Sequence, residues 1–290
     1  MSSPLRTKLG LGSRRGMTLA ELLVVLVILA VVTTVAVQSL GPVAEQGRYE
    51  ATARTLAHIR AAIATENEGV TSGFVADNGC FPESLSELLA QPDRLPAFSV
   101  YNYTDEHGNS FPIPRGWRGP YLQLPIGTSD LTDGWGAPLL FDRVTEADRL
   151  LITSPAATRP GSSIQQDLQV AIPVMELRAA LLRVQLYRVD GHEHLPPAGT
   201  GTWTVTLVSP APIDDGMPNG VALIPLLEVP SGTAGIDLPT FQIVSEGTDD
   251  QRLAMGPRVL QATLNGQAMG QPTFFHIRPG ATHLIDVRVE

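Results

Sequence analysis

The chain has one cysteine, Cys80, and one lysine, Lys8. A lone cysteine excludes an intrachain disulfide. A cysteine without a partner is most often a small buried apolar residue, and Cys80 is read that way. Aromatic residues are sparse at 6%. Positive charge is scarce too, with 20 Lys and Arg against 29 Asp and Glu, for a net charge of −9. Four cations, Arg6, Lys8, Arg14 and Arg15, sit in the first 16 residues with no acid among them. Without them the net charge falls from −9 to −13. Such a chain lacks the basic face that phosphate binding needs, so nucleic acid is not expected as a partner. The motifs of common enzymes are missing as well. There is no G-x-S-x-G, no Walker loop, no G-x-G-x-x-G before a helix, no C-x-x-C and no H-E-x-x-H. No catalytic constellation is expected, and the chain is read as a non-enzyme.

What is present begins with MTLAELLVVLVILAVVTTVAVQSL, directly after the basic leader. Leu22 to Leu40 carries no charge. As a helix that run is ~28 Å long, close to the ~30 Å hydrocarbon core of a bilayer. The basic leader places the N-terminus on the cytoplasmic side. A secretory signal would have a shorter apolar core followed by a small-residue cleavage site, which Ala36, Ser39 and Gly41 could imitate. A plain membrane anchor is the other simple reading. Neither explains Glu21. Thr18-Leu19-Ala20-Glu21 fits the S/T-x-x-E capping box, and a helix N-terminus favours a negative charge. That accounts for how the helix tolerates Glu21. It does not account for the Arg-Arg-Gly junction before it.

Gly16, then Met17-Thr18-Leu19-Ala20-Glu21, then the apolar run resembles the class III leader of type IV pilins and type II secretion pseudopilins. The resemblance implies a cut by prepilin peptidase between Gly16 and Met17, N-methylation of Met17, and retention of the helix. It puts Glu21 at the fifth mature position, where it would pair with the ammonium of a neighbouring subunit during assembly. Met17 departs from the commonest pattern, which has Phe there.

Beyond Gly41-Pro42, where a kink or local break is expected, the sequence reads as an amphipathic helix. Tyr49, Thr52, Leu56, Ile59 and Ile63 fall on one face, with Gly69 as a stop. ADNGCFPESLSELLAQP (76–92) resembles the D-N-G-x-Y/F-P segment and short helix of the major, G-type pseudopilin. Trp117, Gly119, Pro120 and Tyr121 match that family's W-[RK]-G-P-Y. Asp133, Trp135, Gly136 and Pro138 match its D-x-W-G-x-P. Each motif has a structural reading: Gly134 and Gly136 for backbone freedom, Pro138 for a fixed φ, and Trp117 and Trp135 as packed anchors. LLFDR and RLLITS read as two strands about a turn at 145–148. The family's calcium loop would fall at 153–161, which holds no carboxylate, so either that site is lost or its ligands come from elsewhere; calcium is not expected, and no metal or cofactor is assigned.

After a linker-like TRPGSS (158–163), eight β-rich runs follow: 168–174, 182–189, 202–208, 221–229, 240–244, 259–264, 273–277 and 284–289. Turn signals such as Asp190-Gly191 and Asn265-Gly266 separate them, as in a β-sandwich. ELRAALL (176–182) reads equally as a helical turn. The closing HIRPGATHLIDVRVE loosely resembles the last hairpin of immunoglobulin-like bacterial domains. His192 and His194 would share a face of a strand and hold a metal, but their setting between Asp190-Gly191 and Pro196-Pro197 reads as a surface turn. Asp214-Asp215 reads as a solvated turn.

The expected architecture is α+β. A long transmembrane and amphipathic helix packs on a small antiparallel sheet, and a β-sandwich-like unit follows. Expected boundaries are 1–16 leader, 17–69 helix, 70–160 pseudopilin-like domain and 161–290 β-rich domain. The resemblance implies a single-pass inner-membrane subunit, N-terminus inside and C-terminal domains periplasmic or extracellular. Its expected partners are prepilin peptidase, copies of itself, other pseudopilins, an assembly platform and lipid. The alternative is a minor pilin or anchored stalk displaying a binding domain.

Overall fold

The computed structural model describes residues 17–67, 70–104, 110–124, 127–128, 130–144, 149–155, 168–213, 219–229, 238–245 and 251–289. Contacts divide the chain into Met1–Gly47 and Arg48–Glu290. The two units are taken in turn.

Helix α1 spans Leu19–Ile63 and contains Pro42. The expected break at Pro42 is not there. Proline removes one ladder hydrogen bond, and a long helix bridges that loss with its remaining bonds. In the first unit every described side chain from Met17 to Thr34 is exposed. The hydroxyls of Thr33 and Thr34 donate back to the carbonyls of Leu29 (2.7 Å) and Ala30 (2.8 Å). Each is therefore satisfied without water. Among the described residues no helix is long and apolar enough to cross a membrane. The side chains of 35–40, part of the expected span, lie outside the described residues, as does the leader to Gly16.

In the second unit the end of α1 is amphipathic as its spacing predicts. Thr52, Leu56, Ile59 and Ile63 are buried, while Tyr49 stays at the surface. The helix ends at Ile63, before the expected stop at Gly69. Strands β1 (Thr65–Asn67) and β2 (Val70–Ser72) form a hairpin there instead. Thr65 is β-branched and suits a strand, and its hydroxyl donates to the Ala61 carbonyl (2.7 Å). Short helix α2 (Phe74–Asn78) follows, then a 3₁₀ turn at Leu85–Leu88.

Strands β3 (Ser99–Thr104) and β4 (Ser110–Arg115) make a second hairpin. Strands β5 (Leu140–Val144), β6 (Arg149–Ser154) and β7 (Leu168–Pro173) form a three-stranded antiparallel sheet. The turn at 145–148 lies outside the described residues. Leu150, Ile152 and Ile172 of this sheet share one core with Leu56, Ile59 and Ile63 of α1. The helix-on-sheet packing expected of a pilin-like body is therefore present. The domain boundary expected at 160/161 falls among residues outside the described set. Strand β7, beyond it, completes this first sheet.

The remaining strands are β8 (Leu181–Asp190), β9 (Glu193–Leu195), β10 (Trp203–Pro210), β11 (Val221–Val229), β12 (Thr240–Val244), β13 (Gly256–Leu264), β14 (Gln267–Ala268), β15 (Thr273–Ile277) and β16 (Thr282–Arg288). They form one nine-stranded sheet along the path β14-β13-β10-β11-β12-β8-β16, with β15 on β13 and β9 on β8. All its pairs are antiparallel except β8 with β16. The sheet curls into a half-barrel. Leu182, Val184 and Leu186 of β8 share a core with Val205 and Leu207 of β10, although two strands separate them in the sheet. The unit is β-rich as expected, with its opposed layers supplied by one continuous, curled sheet. Of ELRAALL (176–182) only Glu176 belongs to a 3₁₀ turn, Val174–Glu176, and Leu181 and Leu182 already begin β8.

Candidate functional site

The N-terminal motif is a built helix cap. Thr18 stands one residue before the helix. Its backbone N–H donates to Glu21 Oε2 (2.9 Å), and the Glu21 N–H donates to Thr18 Oγ1 (3.2 Å). The Thr18 hydroxyl also reaches Glu21 Oε2 (3.2 Å). This reciprocal arrangement is the capping box read from the sequence. It leaves Met17 exposed two residues before the helix and fixes the Glu21 carboxylate against the Thr18 N–H, three residues back. Gly16 lies outside the described residues.

The three internal motifs tie loops to the body. Asp133 is buried and accepts from the backbone N–H groups of Trp135 (2.9 Å) and Ala137 (2.8 Å) and from the Ser154 hydroxyl (2.7 Å). It thereby closes the D-G-W-G-A-P loop onto β6. Gly136 has φ 80°, as its motif position predicts. Gly134 serves differently from expectation. What it supplies is room: a Cβ there would lie 2.3 Å from the Arg48 carbonyl oxygen on α1. Its N–H donates to Thr52 Oγ1 (2.8 Å), so the loop backbone lies directly on the helix. Trp135 is half-buried and Pro138 exposed.

Trp117 donates from Nε1 to the Glu87 carbonyl (2.7 Å), and its ring meets Tyr121 edge-on at 5.8 Å. The Gly119–Pro120 peptide between them is cis, and a Cβ on Gly119 would strike the Trp117 ring at 2.6 Å. The Tyr121 hydroxyl donates to Asp77 Oδ2 (3.1 Å) and accepts from Asn78 Nδ2 (3.1 Å) and the Arg118 N–H (3.1 Å). Two motifs that the sequence shows separately, D-N-G and W-R-G-P-Y, therefore meet at one hydroxyl. No sequence signal pairs them. Burial pushes the Tyr121 hydroxyl above its ordinary value. Burial also raises Asp77, against the Tyr121 hydrogen bond and the Arg118 charge, which lower it. Gly79 closes α2 at φ 66°, and a Cβ there would stand 2.0 Å from the Pro210 carbonyl oxygen.

Cys80 is buried as expected, and burial pushes its thiol up to about 11. Beside it Arg94 makes a two-pronged pair with Glu87, Nε to Oε1 (2.8 Å) and Nη2 to Oε2 (2.5 Å). Sequence reasoning missed this pair, and it missed Arg258 too. Arg258 is fully buried, and burial lowers it to about 9. It donates to the carbonyls of Pro257, Ala254 and Met255. His192 sits in an exposed turn, and His194 on β9 stacks on Tyr187 at 4.2 Å. Among the described residues no three His, Cys, Asp or Glu are grouped to hold a metal. In the 153–161 segment the Ser154 hydroxyl is committed to Asp133, and 156–161 lie outside the described residues. Asp214-Asp215 lies outside them as well.

No curated protein and no solved structure matches the chain. The prokaryotic N-terminal methylation motif matches residues 11–37, which contain Gly16, Met17 and the Thr18–Glu21 cap. The chain thus carries the N-terminal methylation signal of type IV pilin-like prepilin-peptidase substrates.

Proposed function

We propose that the protein is a pseudopilin-type structural subunit of a type II secretion or related pilus-like assembly. The observation that carries this reading is the methylation motif over residues 11–37, with its capping box formed at Thr18 and Glu21. Cleavage falls between Gly16 and Met17, and Met17 is then N-methylated. The retained helix anchors the subunit in the inner membrane through Leu22–Leu40 and later packs against its neighbours. The uniformly exposed apolar surface from Leu22 to Val32 supports this, because such a surface needs lipid or other helices around it.

In the assembly Glu21 meets the ammonium of Met17 from a neighbouring subunit. A carboxylate held in apolar surroundings is costly unless paired, so the pairing sets the axial register. The capping box prepares Glu21 for this role, because it holds the carboxylate at the helix start. The D-N-G, W-R-G-P-Y and D-G-W-G-A-P motifs favour a pseudopilin over a minor pilin. The reading requires no cofactor, metal or catalytic residue.

Mass spectrometry of the N-terminus, with and without a co-expressed prepilin peptidase, tests it. The expected product begins with N-methylated Met17. An uncut chain, or a cut near Ser39–Gly41, overturns the proposal. The Glu21→Ala variant is expected to insert normally and to assemble poorly. Wild-type assembly would refute the pairing.

A further inference from the structure

The outer face of the C-terminal sheet carries a cavity to which the proposed function assigns no role. On β10, Val205 and Leu207 face the inner core, so Thr204, Thr206 and Val208 face away from it. On β13, Leu260 and Ala262 face in, so Gln261 and Thr263 face out. On β11, Leu226 faces in and Leu223 and Pro225 face out. Register then sets Thr206 directly between Gln261 and Pro225, and Thr204 opposite Thr263. The β3–β4 hairpin lies over the next row, where Ile113, Tyr101 and Tyr103 pack on Val208, Val221 and Val259.

Beside Tyr103 of β3, the sheet face forms the floor of a cavity of about 430 Å³. Its floor is Thr204, Thr206, Gln261 and Thr263, and its walls are Tyr103 on one side and Leu223 with Pro225 on the other. The volume is within the ~300–1,000 Å³ typical of small-molecule sites. Three features define what fits. Among the described residues no charged side chain lines the cavity, so none of them offers an anion or a cation a counter-charge. The floor offers hydroxyls, which both donate and accept, beside a carboxamide. The walls are aromatic and aliphatic.

Gln261 adds a fourth feature. An outward-facing glutamine normally stands in water, but this one is only 5% exposed. Its Nε2 donates to the Ala262 carbonyl (3.0 Å), while its Oε1 has no hydrogen-bond partner. A buried acceptor left without a donor is a standing cost. The terminal torsion of glutamine is soft, so a small rotation turns this oxygen toward a donor in the cavity.

We propose that this cavity binds a neutral saccharide unit, one or two hexose rings in size. Sugar hydroxyls donate to Gln261 Oε1 and exchange hydrogen bonds with Thr204 and Thr206. The apolar face of the ring lies against the Tyr103 and Pro225 walls. The proposal stands apart from the pseudopilin reading: either can fail while the other holds.

The test uses the full chain in a detergent without a sugar headgroup. Saturation-transfer NMR is recorded with glucose, galactose, mannose, N-acetylglucosamine, maltose and lactose, and with glucose 6-phosphate and sialic acid as charged controls. At least one neutral sugar is expected to bind. Its affinity should fall at least tenfold in Thr206→Val and in Gln261→Leu and stay unchanged in Thr282→Val on distant β16. Thermal melting checks that each variant is folded. If Gln261→Leu does not fold, Thr206→Val and Tyr103→Ala decide the matter. Absence of transfer to every neutral sugar overturns the proposal. So does undiminished binding in the cavity variants, or equal binding of the charged controls.

Discussion

Helix α1 presents two faces of the same physics. Up to Thr34 its Leu, Val and Ile side chains are all exposed, and the described hydrogen bonds there are local: the helix ladder, the Thr18–Glu21 cap and the Thr33 and Thr34 hydroxyls on the carbonyls one turn back. Beyond Arg48 the helix is one of several elements around a core, with Ile59 and Ile63 fully buried. Identical backbone geometry thus serves opposite purposes. The first stretch has apolar residues at almost every position, and its described side chains are exposed. The second has them at three- and four-residue steps and finds its surroundings inside.

The largest effect should come from breaking the second stretch and not the first. Ile59→Ala removes a fully buried side chain and is expected to lower stability by about 2–5 kcal/mol. Ile28→Ala, at an exposed site, should leave the thermal midpoint of the body unchanged. A melt of both variants in the same detergent checks this. Equal loss in the two would mean that the first stretch has a covered face within the subunit.

Next in size are the contacts by which the D-G-W-G-A-P loop grips the helix. Asp133→Ala strands the donors of Trp135, Ala137 and Ser154, for a loss of about 3 kcal/mol. Gly134→Ala drives a methyl into the Arg48 carbonyl and should cost about 1–3 kcal/mol. Chemical denaturation measures both. A neutral Gly134→Ala would show that the loop is free to lift off α1.

A smaller effect concerns pH. Asp77 has a folded value raised above the unfolded one, with burial as the main cause. Its contribution is therefore fully present below the unfolded value and lost as pH rises through the folded one. Asp77→Asn removes that loss. The variant should gain in melting temperature at about pH 7 and gain nothing at about pH 3. The same difference at both ends would contradict the assignment.

The smallest effect is at the helix start. Thr18→Ala should weaken the cap by about 1 kcal/mol. Amide exchange at Leu19–Leu22 should quicken while exchange at Ile59 and Ile63 stays slow.

Much of the fold was legible in local pattern. The expected limits of β11, β12 and β15 coincide with the observed strands, because turn residues bound their β-rich runs. The β3–β4 hairpin was not legible. Pro112 and Pro114 argue against a strand, and the sequence reading assigned none there. Both are accommodated because, among the described residues, β4 pairs with β3 alone, so its other edge needs no ladder donors there. The end of α1 was misplaced because ATENEG lacks a breaker before Gly69, and only the β1–β2 pairing ends the helix at Ile63. The cavity residues gave no signal either. Thr204, Thr206, Gln261 and Thr263 belong to two strands separated by some fifty residues of chain, and only the register brings them together.

The sequence by itself determined the N-terminal device. A basic leader, a Gly-Met junction, a capping box and an apolar run are local features, and their chemistry needs no partner from elsewhere in the chain. It also determined the alternation that makes the C-terminal half a sheet. The tertiary structure alone decided where the motifs meet. Tyr121 reaches Asp77 and Asn78, Gly134 lies on Arg48, and Gly79 lies on Pro210. It decided too that the C-terminal strands curl into one sheet around a single core. The physical reason is the same in each case: local propensity acts through neighbours in sequence, whereas burial, close approach and register act between residues that only folding brings together.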